Sequence, residues 1–189
     1  LRPAPGGLGA LNATAQLPTG HGYQGYSGIP ALRQAFAGWY DRYYGVSLHP
    51  DVEILPLMGS KEGIVHIAMT YLEAGTVALV PDPGYPAYRA ASMLAGAEVR
   101  TYDLREENGW FPDFEALEAM DHSRTKLMWV NYPHMPTGTA ATKAVFERLI
   151  DFGLRHNIMI VNDNPYSFIG NDQPLSILSI PRAKEVAME

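Results

Sequence analysis

Thr76-Val77-Ala78-Leu79-Val80, followed at once by Pro81-Asp82-Pro83-Gly84-Tyr85-Pro86, is the stretch on which the fold turns. An uncharged, apolar run of this length, bounded by turn residues, reads as a strand buried on both faces. The loop behind it is stiff, because proline fixes φ on either side of Gly84 and Tyr85, and the tyrosine is held in one direction.

Working outward, strands and helices alternate. Downstream come a small-residue helix over Ala87 to Leu94 and a strand over Glu98 to Leu104. Next are a helix over Pro112 to Met120, acidic in its N-terminal half as the helix dipole favours, and a strand over Lys126 to Asn131. A helix over Thr142 to His156 carries Val145, Leu149 and Phe152 on one stripe, and Met159 to Asn162 forms a further strand. Upstream, Pro30 to Tyr44 reads as a helix with proline in its first turn and Gly45 as its stop. Glu53 to Met58 reads as a short apolar strand. Gly59-Ser60 opens a helix with Ile64, Ile67, Ala68, Tyr71 and Leu72 on one face, ended by Gly75. Such alternation predicts an α/β fold, a mainly parallel sheet with flanking helices.

Composition narrows the function. A chain of 189 residues supports one sizeable core. A net charge of -6 and a pI near 5.5 argue against nucleic acid as the main partner, which needs a basic face. The absence of cysteine excludes disulfides, thiolate metal sites and cysteine nucleophiles. His21, His49, His66, His122, His134 and His156 show no metal-ligand spacing, so no metal is assigned. No apolar run approaches a membrane span and no signal segment opens the chain, which predicts a cytoplasmic location. Leu1 in place of methionine, and Val186 to Glu189 resembling a strand just begun, read as cuts in a longer protein.

In a parallel sheet the ligand lies beyond the carboxyl ends of the strands, so the residues after each strand are the ones to read. Ser60 and Lys61 sit at a helix N-terminus, where free N–H groups favour an anion such as phosphate; the alternative, which this motif alone favours, is a plain cap with a solvated lysine. Tyr85 is placed to stack on a planar ring, or packs on its own loop. Asp163 ends an apolar strand and needs a cation or several donors, of which a pyridinium nitrogen is one; the alternative is a loop cap. A phosphate cradle, a stacking ring and an acid at successive strand ends together meet the needs of pyridoxal 5′-phosphate.

These residues resemble the motifs of a known family, the fold-type-I aminotransferases of class I and II. The segment from Tyr23 through Gly25-Tyr26-Ser27-Gly28-Ile29-Pro30 to Arg33 matches its N-terminal motif, and Gly59-Ser60-Lys61-Glu62-Gly63-Ile64 its phosphate-side turn. Pro81 to Pro86 matches its stacking loop. Asn131-Tyr132-Pro133-His134-Met135-Pro136-Thr137-Gly138 and Asp163-Asn164-Pro165-Tyr166 match its two remaining cofactor motifs. The resemblance implies an incomplete large domain over 30–189, with 1–29 as an N-terminal segment. It implies that Ser60 and Lys61 hold the cofactor phosphate, Tyr85 stacks on the ring, Asp163 bonds the ring nitrogen and Tyr166 the phenolic oxygen. Tyr23 would reach across a homodimer to the partner's phosphate. The implied reaction moves an amino group between an amino acid and a 2-oxo acid.

Two departures qualify this. The asparagine that precedes Pro-Thr-Gly in the usual motif is Met135 here, which donates no hydrogen bond. Asn131 and His134 lie nearby as partial substitutes, and a shifted proton affinity at the cofactor is expected rather than a lost site. None of Lys61, Lys126, Lys143 and Lys184 stands in a Ser-x-Ser-Lys context, so the chain is expected to stop before the Schiff-base lysine and to be inactive alone. A strand at Glu53 to Met58 would then have a bare edge, which predicts abnormal association or a partly rearranged sheet. A carbon–sulfur β-lyase on the same scaffold and a non-catalytic module are the alternatives. A nucleotide-binding domain lacks its Gly-x-Gly-x-x-Gly support.

Overall fold

The computed structural model describes residues 3–4, 6–23 and 25–189, so Gln24 of the N-terminal motif lies outside the described residues. Strands β1 (Val77–Asp82), β2 (Glu98–Asp103), β3 (Thr125–Val130), β4 (Met159–Asn162) and β5 (Ala187–Met188) form one sheet in the order β2-β1-β3-β4-β5. Every pairing is parallel. The apolar runs become central strands because both faces are covered. Ala78, Val80, Leu127, Trp129 and Val161 point into one core layer, while Leu79, Met128, Val130 and Ile160 point into the other.

Helices α3 (Ser60–Tyr71) and α4 (Pro86–Leu94) cover the first layer through Ile64, Ala68, Tyr88 and Ala91. The second layer is closed by α5 (Phe114–Glu118), α6 (Lys143–His156) and α7 (Ala183–Val186), whose Phe114, Leu117, Phe146, Leu149 and Val186 are buried. Each such large side chain contributes about 1.5–3 kcal/mol when removed from water. The outer strand β2 carries its charges as pairs, Arg100 and Arg124 both meeting Glu98 at 2.7 Å.

Capping follows the sequence. Helix α2 (Pro30–Tyr44) ends at Gly45, whose φ of 65° lets its N–H reach back to Asp41 O. Thr142 caps α6 by accepting from Val145 N, and Asp113 caps α5 through Glu115 N and Ala116 N. The α5 helix is shorter than the expected 112–120 span, because Pro112 is drawn into an antiparallel bridge with Leu104. Helix α1 (Gly7–Ala15) was not legible in the sequence; it buries none of its residues, and its two glycines are poor helix formers.

Two expectations are corrected. Residues 53–58 form no strand. Pro56 removes a ladder donor, and the segment is held by side chains instead: Glu53 accepts from His49 N and pairs with Lys184 at 2.9 Å, leaving Leu55, Leu57 and Met58 exposed. The bare strand edge expected there does not arise. Helix α3 ends at Tyr71, not at Gly75, whose φ of 91° instead shapes the turn into β1. No described helix is long and apolar enough to cross a membrane.

The sheet order positions the site. The chain steps outward from β1 to β2, then returns past β1 to β3 and β4. Connections diverge on either side of β1, and a crevice opens at such a reversal beyond the carboxyl ends. The loops after β1, β3 and β4, which carry Tyr85, Asn131 to Gly138 and Asp163, are thereby neighbours.

Candidate functional site

Gly59, at φ 119° and ψ 151°, is the N-cap of α3, so Ser60 is the first helical residue and not the cap. No side chain caps this end; Glu62 reaches back to Met58 N at 2.6 Å. Ser60 and Lys61 are exposed, and their N–H groups with the positive end of the dipole form an anion-receptive turn. The Lys61 ammonium lies 5.9 Å from the centroid of the Tyr85 ring, so two of the expected residues come together.

Tyr85 caps α4 from the proline loop and is half-buried. The loop leaves no room at Gly84, where a Cβ would stand 2.5 Å from Pro81 O. Gly84→Ala is therefore expected to cost about 1–3 kcal/mol of stability, read as a lower midpoint in urea, because backbone and not a flexible side chain must give way.

His134 ties this loop to the next. Its Nε2 donates to Pro83 O at 3.1 Å, which fixes the tautomer, since a carbonyl only accepts; Nδ1 lies 2.8 Å from Thr137 Oγ1. Burial lowers the His134 pKa and so favours this neutral form. Asn131 makes the second tie, accepting from Met135 N at 2.9 Å and donating to Asp163 O at 2.6 Å. Both side chains offered as substitutes for the missing asparagine are thus engaged within the protein. Met135 lines a cleft of about 240 Å³ together with Pro136, Tyr166 and Ile169.

Asp163 follows β4, its N–H bonded to Val130 O. Its Oδ2 accepts from Tyr88 at 2.8 Å, and no described residue donates to Oδ1. Burial pushes the Asp163 pKa up and the Tyr88 bond pulls it down. With no cation paired to it among the described residues, this carboxylate is suited to a positively charged N–H. Tyr166 is partly exposed three residues further on. Tyr23 is not brought to the site: it is fully exposed on residues 6–29, none of which is buried among those described. Of the lysines other than Lys61, Lys143 pairs with Glu147, Lys184 with Glu53, and Lys126 is exposed on β3.

Sequence reasoning missed Tyr88, Ser92 and Trp129. The one available signal was spacing: Tyr88 stands three residues beyond Tyr85, on the same side of the helix.

Comparison with known proteins adds to this geometry. The family model described as aminotransferase class I and II matches residues 8–186. An LL-diaminopimelate aminotransferase of Dehalococcoides mccartyi is 46% identical over 184 residues, covering 96% of this chain and 47% of that protein. One from Aquifex aeolicus is 39% identical, covering 95% and 47%. The chain spans about half the length of the curated relatives it matches. Among solved structures, substrate-bound BacF from Bacillus subtilis superposes with a TM-score of 0.92 at 36% identity, over 99% of this chain and 48% of that one. A probable N-succinyldiaminopimelate aminotransferase from Thermus thermophilus gives 0.90 at 32%, over 99% and 50%.

Proposed function

Because this chain belongs to the class I and II aminotransferases, we propose that it supplies the cofactor-binding part of an enzyme that moves an amino group between an amino acid and a 2-oxo acid through pyridoxal 5′-phosphate. The observation that carries this reading is Asp163: a part-buried carboxylate with one oxygen held by Tyr88 and the other free for a protonated ring nitrogen. The donor set around it fits the rest of the group. The N-terminal turn of α3, with the Ser60 hydroxyl and the Lys61 ammonium, holds the phosphate. The Tyr85 ring covers one face of the pyridine, and its stiff loop keeps it there. Tyr166 donates to the phenolic oxygen, and Asn131 holds the proline loop against the Asp163 strand.

When bound, the cofactor supplies an electron sink beside the substrate's Cα–H bond. Asp163 keeps a proton on the ring nitrogen, which deepens that sink. Residues 30–189 form this part of the site, and residues 1–29 an N-terminal segment from which Tyr23 reaches a partner's phosphate in a homodimer. None of the four lysines serves as the Schiff-base lysine, and the matched relatives run to about twice this length. The protein works in the cytoplasm, and the names of its relatives make LL-diaminopimelate the amino donor to test first.

The test is an assay of the intact protein with pyridoxal 5′-phosphate, LL-diaminopimelate and 2-oxoglutarate. Formation of glutamate is expected. Pyruvate released from cystathionine, without glutamate, would replace amino transfer by carbon–sulfur lysis. Met135 is open to its own check. Met135→Asn restores a donor on the proline loop and is expected to tighten cofactor binding about fivefold in an absorbance titration, the equivalent of one neutral hydrogen bond.

A further inference from the structure

Tyr88 is a firmly held side chain beside the site. It stands in the first turn of α4, fully buried, with its ring parallel to the Trp129 indole at 5.3 Å between centroids and 9° between planes. The edge of the Tyr85 ring meets it at 5.6 Å and 78°. Ser92, one turn along α4, locks the pair from below: its hydroxyl donates to Tyr88 O at 2.8 Å and accepts from Trp129 Nε1 at 3.1 Å. With the ring fixed on both sides, the phenol oxygen has one position, 2.8 Å from Asp163 Oδ2 across 75 residues of chain. Among the described residues, Asp163 is held elsewhere only through its backbone, by Val130 O and the Asn131 amide. The rotation of its carboxylate is therefore left to Tyr88.

We infer that Tyr88 is a positioning residue for the proposed reaction: its hydroxyl turns the Asp163 carboxylate so that Oδ1 faces the ring nitrogen of the cofactor. The inference rests on the functional reading above. The same bond also favours the ionised carboxylate. Burial pushes Asp163 toward its neutral form, and a donor to the charged form opposes that. A neutral Asp163 has no charge with which to hold a proton on the ring nitrogen. Tyr88 itself stays protonated, since burial and the adjacent carboxylate both raise its pKa.

Tyr88→Phe tests this, because it keeps the ring and its stacking on Trp129 and removes the donor alone. In the intact protein, affinity is measured for pyridoxal 5′-phosphate and for the analogue in which a C–H replaces the ring nitrogen. The Asp163 carboxyl is also titrated by ¹³C NMR without cofactor. Tyr88→Phe is expected to weaken the cofactor about tenfold, in line with loss of a charge-assisted hydrogen bond, to leave the analogue within about twofold, and to raise the Asp163 midpoint. Ser92→Ala, which loosens the same packing but keeps the phenol, is expected to leave the ratio of the two affinities unchanged. Equal weakening of both compounds by Tyr88→Phe, an unmoved Asp163 midpoint, or the same change of ratio in Ser92→Ala overturns the inference and makes Tyr88 a packing residue. Failure of the wild-type protein to bind either compound overturns the functional reading and the inference with it.

Discussion

Asp163→Asn in the intact protein is expected to lower the amino-transfer rate about 10²–10³-fold, the usual loss when one preorganised charge is removed from a reacting centre. The carboxamide still accepts from Tyr88, so the local geometry persists and the change isolates charge. A neutral group cannot keep the ring nitrogen protonated, and the loss falls on kcat more than on KM. The same substitution is expected to stabilise the cofactor-free protein by about 1 kcal/mol at pH 7, because a part-buried carboxylate without a cation is a cost in the folded state. Activity and stability should thus move in opposite directions at one residue.

That stability gain has a pH signature. The folded-state pKa of Asp163 lies above its ordinary value of 3.8, so between the two the folded chain binds more protons than the unfolded one. Stability conferred by this group is then lost as pH rises through that window, and the deficit is constant above it. The difference between Asp163→Asn and wild type in urea should be full at pH 7 and vanish below the ordinary carboxylate value. A difference that instead grew on acidification would mean that the carboxylate is stabilised by folding, and that the free Oδ1 finds a donor.

Which parts were legible in the sequence follows from how each element is held. Strands β1, β3 and β4 were readable because both faces are buried along most of their length, which forces a near-continuous apolar run. The same reasoning failed at Glu53 to Met58. That run is apolar enough, but a strand needs a partner; Pro56 removes a ladder donor, and Glu53 pairs with Lys184 on α7 instead. The loops bearing Tyr85, Met135 and Asp163 stood out because proline and glycine punctuate strand ends, and sheet order alone then makes them neighbours. The ties among them were not legible. His134 to Pro83 O, Asn131 to Asp163 O and Tyr88 to Asp163 each join residues tens of positions apart, and depend on loop paths and helix rotation that no local pattern encodes. Tyr23 is the converse case: its motif is legible, while its place on an exposed segment leaves its role to a test on the intact protein.

Trp129→Ala is expected to cost about 3–5 kcal/mol, a large part of the 5–15 kcal/mol that holds a typical domain together. Trp129 is fully buried in the central strand β3, and its loss opens a void that α4 cannot close without moving. The damage is not confined to volume. Ser92 Oγ loses its indole donor, and the Tyr88 ring loses the surface against which it lies flat. The phenol that sets the Asp163 carboxylate is then free to swing. Trp129→Phe keeps an apolar face beneath Tyr88 and removes the N–H, so it should cost about 1–3 kcal/mol and disturb Asp163 less. Urea unfolding followed by far-UV circular dichroism measures both costs. The decisive comparison is a double-mutant cycle of Trp129→Phe with Tyr88→Phe, read as the Asp163 titration midpoint. If the indole acts through the tyrosine, Trp129→Phe should shift that midpoint only while the Tyr88 hydroxyl is present. Additive shifts would show instead that the indole reaches Asp163 by a route that does not pass through Tyr88.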